Sequence, residues 1–117
     1  MVDGTVITAI RTDSIYDGTN SRCGNTIIIE GIDNVRYTYC HLSTLTAISG
    51  QTVLAGQQIG LTGGQPGTPG AGNTTGPHLH LSMTGRLGPL CPQPVILNIL
   101  RGVPSNPHSS SRTKCIA

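Results

Sequence analysis

The sequence predicts a mostly β domain, a small antiparallel sheet or open sandwich of duplicated hybrid motif type, ending in a short C-terminal helix. Apolar residues make up 36% of the 117, but Phe and Trp are absent and only three Tyr occur, so a core has to be built from Val, Ile and Leu. Those side chains suit pleated, half-buried surfaces. Sixteen Gly and eight Pro divide the chain into brief elements. The length accommodates one domain rather than two, which we place at residues 1–103, with a polar tail at 104–117.

Each element follows in order. Asp3-Gly4 is a turn leading into a strand from Thr5 to Ile10, and residues 11–24, polar and carrying Asp17-Gly18 and Cys23-Gly24, form a loop. Asn25 to Glu30 is a strand whose Ile27-Ile28-Ile29 run predicts burial on both faces. After a turn at Gly31-Ile32-Asp33-Asn34, Val35, Tyr37 and Tyr39 alternate with Arg36, Thr38 and Cys40, the period of a half-buried returning strand. The two strands make a hairpin. Leu42 to Ile48 is a short connection, and the Gly-Gln pairs at 50–51 and 56–57 bracket two brief apolar strands. Residues 63–76 are a Gly/Pro-rich loop, and Leu79, Leu81 and Met83 alternate with His78, His80 and Ser82 in another strand. Val95 to Leu100 is a short helix ending at Gly102, with Val95, Ile96, Ile99 and Leu100 on one face.

Charge excludes some functions and selects none. The net charge is +2, with 10% charged residues and no basic run, which gives nucleic-acid binding no support. A mildly basic surface suits anionic polymers such as cell wall, although an ordinary surface has the same composition. No apolar run approaches the roughly 20 residues that cross a bilayer, and the N-terminus lacks the three regions of a signal peptide. Cys23, Cys40, Cys91 and Cys115 in a small Gly-rich domain point to an oxidising compartment. Four cysteines allow three pairings. Cys91 with Cys115 is preferred because it would tie down the tail, and the absence of CxxC spacing argues against a zinc knuckle.

His78-Leu79-His80 carries the sharpest chemistry. Residues i and i+2 of a strand face the same way, about 6–7 Å apart, so two imidazoles can share one task. Alone the pattern is weak, since two surface histidines give it equally well. A third imidazole, His41, stands at the end of the strand containing Tyr37 and Tyr39, whereas His108 falls in the polar tail. A Cys40 thiol assisted by His41 is disfavoured, because neighbouring strand residues point to opposite faces.

Several motifs stand in order over residues 3–83: Asp3-Gly4-Thr5-Val6, Gly24-Asn25-Thr26-Ile27-Ile28-Ile29, Tyr39-x-His41-Leu42-Ser43, Gly50-Gln51-x-Val53-x-x-Gly56-Gln57-x-Ile59-Gly60 and Thr75-Gly76-Pro77-His78-Leu79-His80. This set resembles the lysostaphin-type zinc metallopeptidases, which cut peptide cross-links of bacterial peptidoglycan. The resemblance implies a β-rich open sandwich with a groove between loops. It further implies His80 as a zinc ligand and His78 and His41 as catalytic groups beside the attacking water and the developing oxyanion. Peptidoglycan peptides would be the partners, in an extracellular, periplasmic or virion-associated setting.

The sequence also departs from that family. The other two ligands belong to a His-x-x-x-Asp motif before the Asp-Gly-x-Val strand, and here that strand begins at Asp3, which matches the turn aspartate. Leu81-Ser82 replaces a common Phe-Glu, and Cys23 replaces a common Tyr. The expectation is a peptidoglycan-directed, metallopeptidase-like domain that holds zinc weakly and is nearly inactive alone. Its alternative is a non-catalytic wall binder or a structural part of a secreted or virion assembly with other protein chains. The Gly-Gln motif also resembles lipoyl-type carrier hairpins, but the sole lysine, Lys114, is not at a hairpin tip.

Overall fold

A computed structural model describes residues 2–102. The polar tail, and with it the Cys91–Cys115 pairing, lies outside the described residues. The main sheet is antiparallel throughout. Its strands are β1 (Gly4–Ile10), β2 (Thr26–Gly31), β3 (Arg36–Cys40), β5 (Thr52–Val53), β7 (His80–Gly85) and β8 (Gly88–Leu90), in the order β5-β1-β2-β3-β7-β8. A second sheet pairs β4 (Leu42–Leu45) with β6 (Gly60–Thr62), and α1 (Pro92–Leu100) follows β8. The mostly β class and the β2–β3 hairpin match expectation, with Ile27 paired to Tyr39 and Ile29 to Tyr37.

The core explains why these segments are strands. Val6, Ile27, Ile29, Tyr37, Val53 and Met83 enter the core from the main sheet, and Val35, Leu42, Leu45 and Ala47 pack with them. Ile27 and Ile29 are buried while Ile28 is half-buried, so β2 is more one-sided than its isoleucine run suggests. Tyr37 closes its own hairpin: its hydroxyl donates to Asp33 Oδ2 at 2.5 Å, and burial followed by that bond pushes its pKa up.

Three expectations need correction. Leu42 to Ile48 is not a plain connection: Leu42 and Leu45 are buried, and β4 pairs with β6. The strand after the Gly/Pro loop begins at His80, not His78, which makes only a single bridge to Gly63; Pro77 lacks the N–H that a longer ladder would use. The helix starts at Pro92, where a proline at the first turn loses no helical hydrogen bond, and of its apolar residues Val95 alone is buried.

Candidate metal centre

The histidines meet where the two sheets part. β3 ends at Cys40, and β4 leaves from Leu42 toward the second sheet. His41 makes the corner between them with φ of 61°, a left-handed conformation that a non-glycine residue adopts only when its surroundings compel it. Those surroundings are specific. The His41 N–H donates to Cys23 O at 2.9 Å, and the Leu42 N–H to Asn25 O at 3.2 Å. Asn25 Nδ2 donates to Leu42 O at 3.0 Å, and a Cys23–Cys40 disulfide closes the corner from behind. That disulfide removes Cys40 from consideration as a nucleophile.

His80 begins β7 directly opposite Cys40 in the β3–β7 register, and His78 lies against Gly63 at the end of β6. A Cβ on Gly63 would stand 2.8 Å from Ser43 N and 2.9 Å from His41 O, so only glycine lets the loop before His78 approach the corner this closely. The result is a cluster. The ring centroids of His41 and His78 are 4.8 Å apart, those of His41 and His80 6.0 Å, and one nitrogen from each ring lies within 4.8 Å of the others. His41 is buried, while His78 and His80 are exposed.

Two rings have fixed tautomers. His41 Nδ1 lies 2.6 Å from Ala71 O, and His78 Nδ1 lies 2.8 Å from Gly76 O. A carbonyl oxygen only accepts, so each Nδ1 carries a proton, and in the neutral form of each ring the lone pair stands on Nε2. A backbone carbonyl holding the far nitrogen is the usual support for an imidazole that binds a metal or takes a proton. Neutral imidazoles are donors that suit zinc. Zinc–nitrogen bonds of about 2.0–2.1 Å place two ligand nitrogens about 3.3 Å apart in a tetrahedral shell. The spread here, up to 4.8 Å, leaves room for one imidazole on the ion and two beside it, or for three after a small inward rotation.

The cluster separates two concavities. On one side a cleft of about 490 Å³ runs past Leu42, Ser43, Thr62, Gly64, Pro69 and His78. On the other a depression of about 260 Å³ is lined by Arg22, Cys23, Cys40, His41, Asn73 and His80.

Sequence reasoning identified the three imidazoles but not what positions them. In the sequence Asn25 is a strand start and a motif residue; in the structure its Oδ1 accepts the Thr12 N–H at 2.8 Å while its amide holds Leu42. Its place after Gly24, ahead of an apolar strand, was the available signal. The carbonyls of Ala71 and Gly76 have no signal in residue type.

An antiparallel β fold with three clustered imidazoles beside two concavities is consistent with a metallopeptidase-like domain. Residues 1–92 match Peptidase family M23, and the chain belongs to that family, whose members include the lysostaphin-type peptidoglycan endopeptidases. The peptidoglycan DD-endopeptidase ShyB of Vibrio cholerae serotype O1 is 33% identical over 87 residues, 74% of this chain and 19% of the relative. ShyA of the same organism is 37% identical over 67 residues, 57% of this chain and 14% of the relative. The chain therefore spans under a fifth of the length of either. Among solved structures, a zinc-containing peptidase from Vibrio cholerae aligns with TM-score 0.59 at 32% identity, covering 76% of this chain and 23% of that one. The catalytic domain of lysostaphin from Staphylococcus simulans aligns with TM-score 0.54 at 31% identity, covering 83% and 74%.

Proposed function

We propose that this chain carries the imidazole half of a zinc-dependent endopeptidase site that cuts peptide cross-links of peptidoglycan. The observation that carries the reading is the convergence of His41, His78 and His80, with Nδ1 of two of them anchored on backbone carbonyls. In this reading His80 holds the metal. Zinc, when bound, polarises the scissile carbonyl and lowers the pKa of its water.

The remaining work falls to His41 and His78. With Nδ1 committed to a carbonyl, the neutral form of each ring offers Nε2 as the base that takes a proton from the attacking water. An imidazole that has taken the proton becomes a donor. It can then stabilise the developing oxyanion or return the proton to the leaving amine. His41 cannot swing away, because its corner is held by Cys23, Asn25 and Ala71. The disulfide fits an oxidising, cell-surface or periplasmic setting.

A second reading is favoured by one observation: among the described residues the cluster contains three imidazoles and no carboxylate. If all three bind the ion, none remains for proton transfer, and the domain binds wall peptides without cutting them. Full catalysis then needs further ligands from another segment or chain. Incubating the purified chain with excess zinc and cross-linked peptidoglycan separates the readings. Chelator-sensitive release of peptide ends, lost in His80→Ala, supports the enzyme. No release by either protein, with wall binding retained, supports the binder and overturns the peptidase assignment.

A further inference from the structure

The two concavities flanking the imidazoles differ in charge. The 490 Å³ cleft is lined by no Asp, Glu, Lys or Arg. The 260 Å³ depression contains a guanidinium, Arg22, and a carboxamide, Asn73, beside His41 and His80, and its lining has no carboxylate. Among the described residues the Arg22 guanidinium has no ion-pair partner, the single ion pair being Arg36 with Glu30 at the far end of the hairpin.

The backbone that bears these two side chains is held in place. Asn73 N–H donates to Arg22 O at 2.8 Å, and Asn25 N–H to Gly70 O at 2.7 Å, so the loops around residues 22 and 73 are laced together. Gly24, with φ of 65°, sits against the Gly70 carbonyl so closely that a Cβ would overlap it. The disulfide ties the same turn to β3. Arg22 and Asn73 thus project from a braced rim next to His80.

We propose that this rim is a carboxylate subsite: Arg22, with Asn73, receives a carboxylate of a peptidoglycan stem peptide on one side of the imidazoles, while the neutral cleft receives the uncharged part. The inference rests on the peptidase-like reading of the histidine cluster and adds a direction to the bound peptide. A guanidinium presents a planar fork of donors that matches a carboxylate, and an adjacent amide N–H₂ adds another. The depression is open to solvent, so the contribution is that of a rim ion pair, sensitive to salt.

The test uses the full chain, labelled with ¹⁵N, and a peptidoglycan stem tetrapeptide in two forms, one with free carboxylates and one with every carboxylate amidated. The Arg22 side-chain signal and the ring signals of His41, His78 and His80 are followed by NMR. The inference predicts that the free form shifts all four and binds roughly fivefold more tightly than the amidated form. Arg22→Gln should abolish that difference, and Arg22→Lys should restore part of it. Both side chains are exposed, and the backbone amide spectrum verifies that each variant is folded. If both forms shift the histidines equally and Arg22→Gln changes nothing, the carboxylate subsite is wrong while the histidine site stands. If neither form shifts the histidines, the underlying reading fails and the inference with it. A shift of Arg22 by inorganic phosphate but not by the free peptide would assign the rim to phosphate and overturn the proposal.

Discussion

Replacing both cysteines of the Cys23–Cys40 pair with alanine tests how the imidazole corner is held. The bond closes a loop across a sequence separation of 17. In the chain-entropy description a loop of that size stabilises the folded state by about 3 kcal/mol. The local consequence is larger than that figure suggests, because Cys40 precedes His41 in the chain and lies opposite His80 in the sheet. Without the bond, the left-handed conformation at His41 depends on hydrogen bonds to the carbonyls of Cys23, Asn25 and Ala71. Zinc affinity should therefore fall as well, on the order of tenfold, the effect of losing support behind a ligand. Urea unfolding followed by circular dichroism gives the first quantity, and zinc titration by calorimetry the second. A stability loss under about 1 kcal/mol together with unchanged zinc affinity would refute the reasoning.

Other perturbations follow from the same frame. Asn25→Ala leaves the Leu42 carbonyl and the Thr12 N–H without their partner, and should cost about 2 kcal/mol in urea unfolding; Asn25→Asp, which sets an acceptor against Leu42 O, should cost more. Gly24→Ala forces a Cβ onto the Gly70 carbonyl at a φ of 65°, and should lose about 2 kcal/mol or more, with proteolytic nicking between residues 11 and 24 as a readout. Tyr37 keeps its proton in the folded state above its usual pKa of 10.0, through burial and then its bond to Asp33. The unfolded chain releases that proton first, so stability is fully present below about pH 10 and falls above it by up to about 1.4 kcal/mol per pH unit. Tyr37→Phe should flatten the decline in unfolding experiments between about pH 10 and 11, and an unchanged slope would contradict it.

The hairpin is readable because Val35, Tyr37 and Tyr39 alternate with Arg36, Thr38 and Cys40; burial follows that period at Val35, Arg36 and Tyr37 and departs from it at Cys40, which is buried in its disulfide. β4 is not readable, because a register shift between Leu42 and Thr44 puts its buried residues three apart and breaks that period. β8, Gly88-Pro89-Leu90, reads as a turn in isolation; as the edge strand beyond β7 it tolerates a proline. His41 and His80 were readable as motif residues. Their meeting depends on β3 pairing with β7 across about 40 residues of sequence, which no local pattern encodes. The anchors behind them are backbone carbonyls, which every residue type offers. For that reason the chemistry could be read from side chains while its supports could not.

Three imidazoles sharing one ion-binding locus underlie everything proposed for this chain. ¹⁵N histidine-ring NMR of the full chain during zinc titration tests that most directly. The shared locus predicts Nδ1-protonated rings at His41 and His78 before zinc, then a common, saturable shift of His41, His78 and His80. A response confined to His108, or three rings titrating independently, would contradict it.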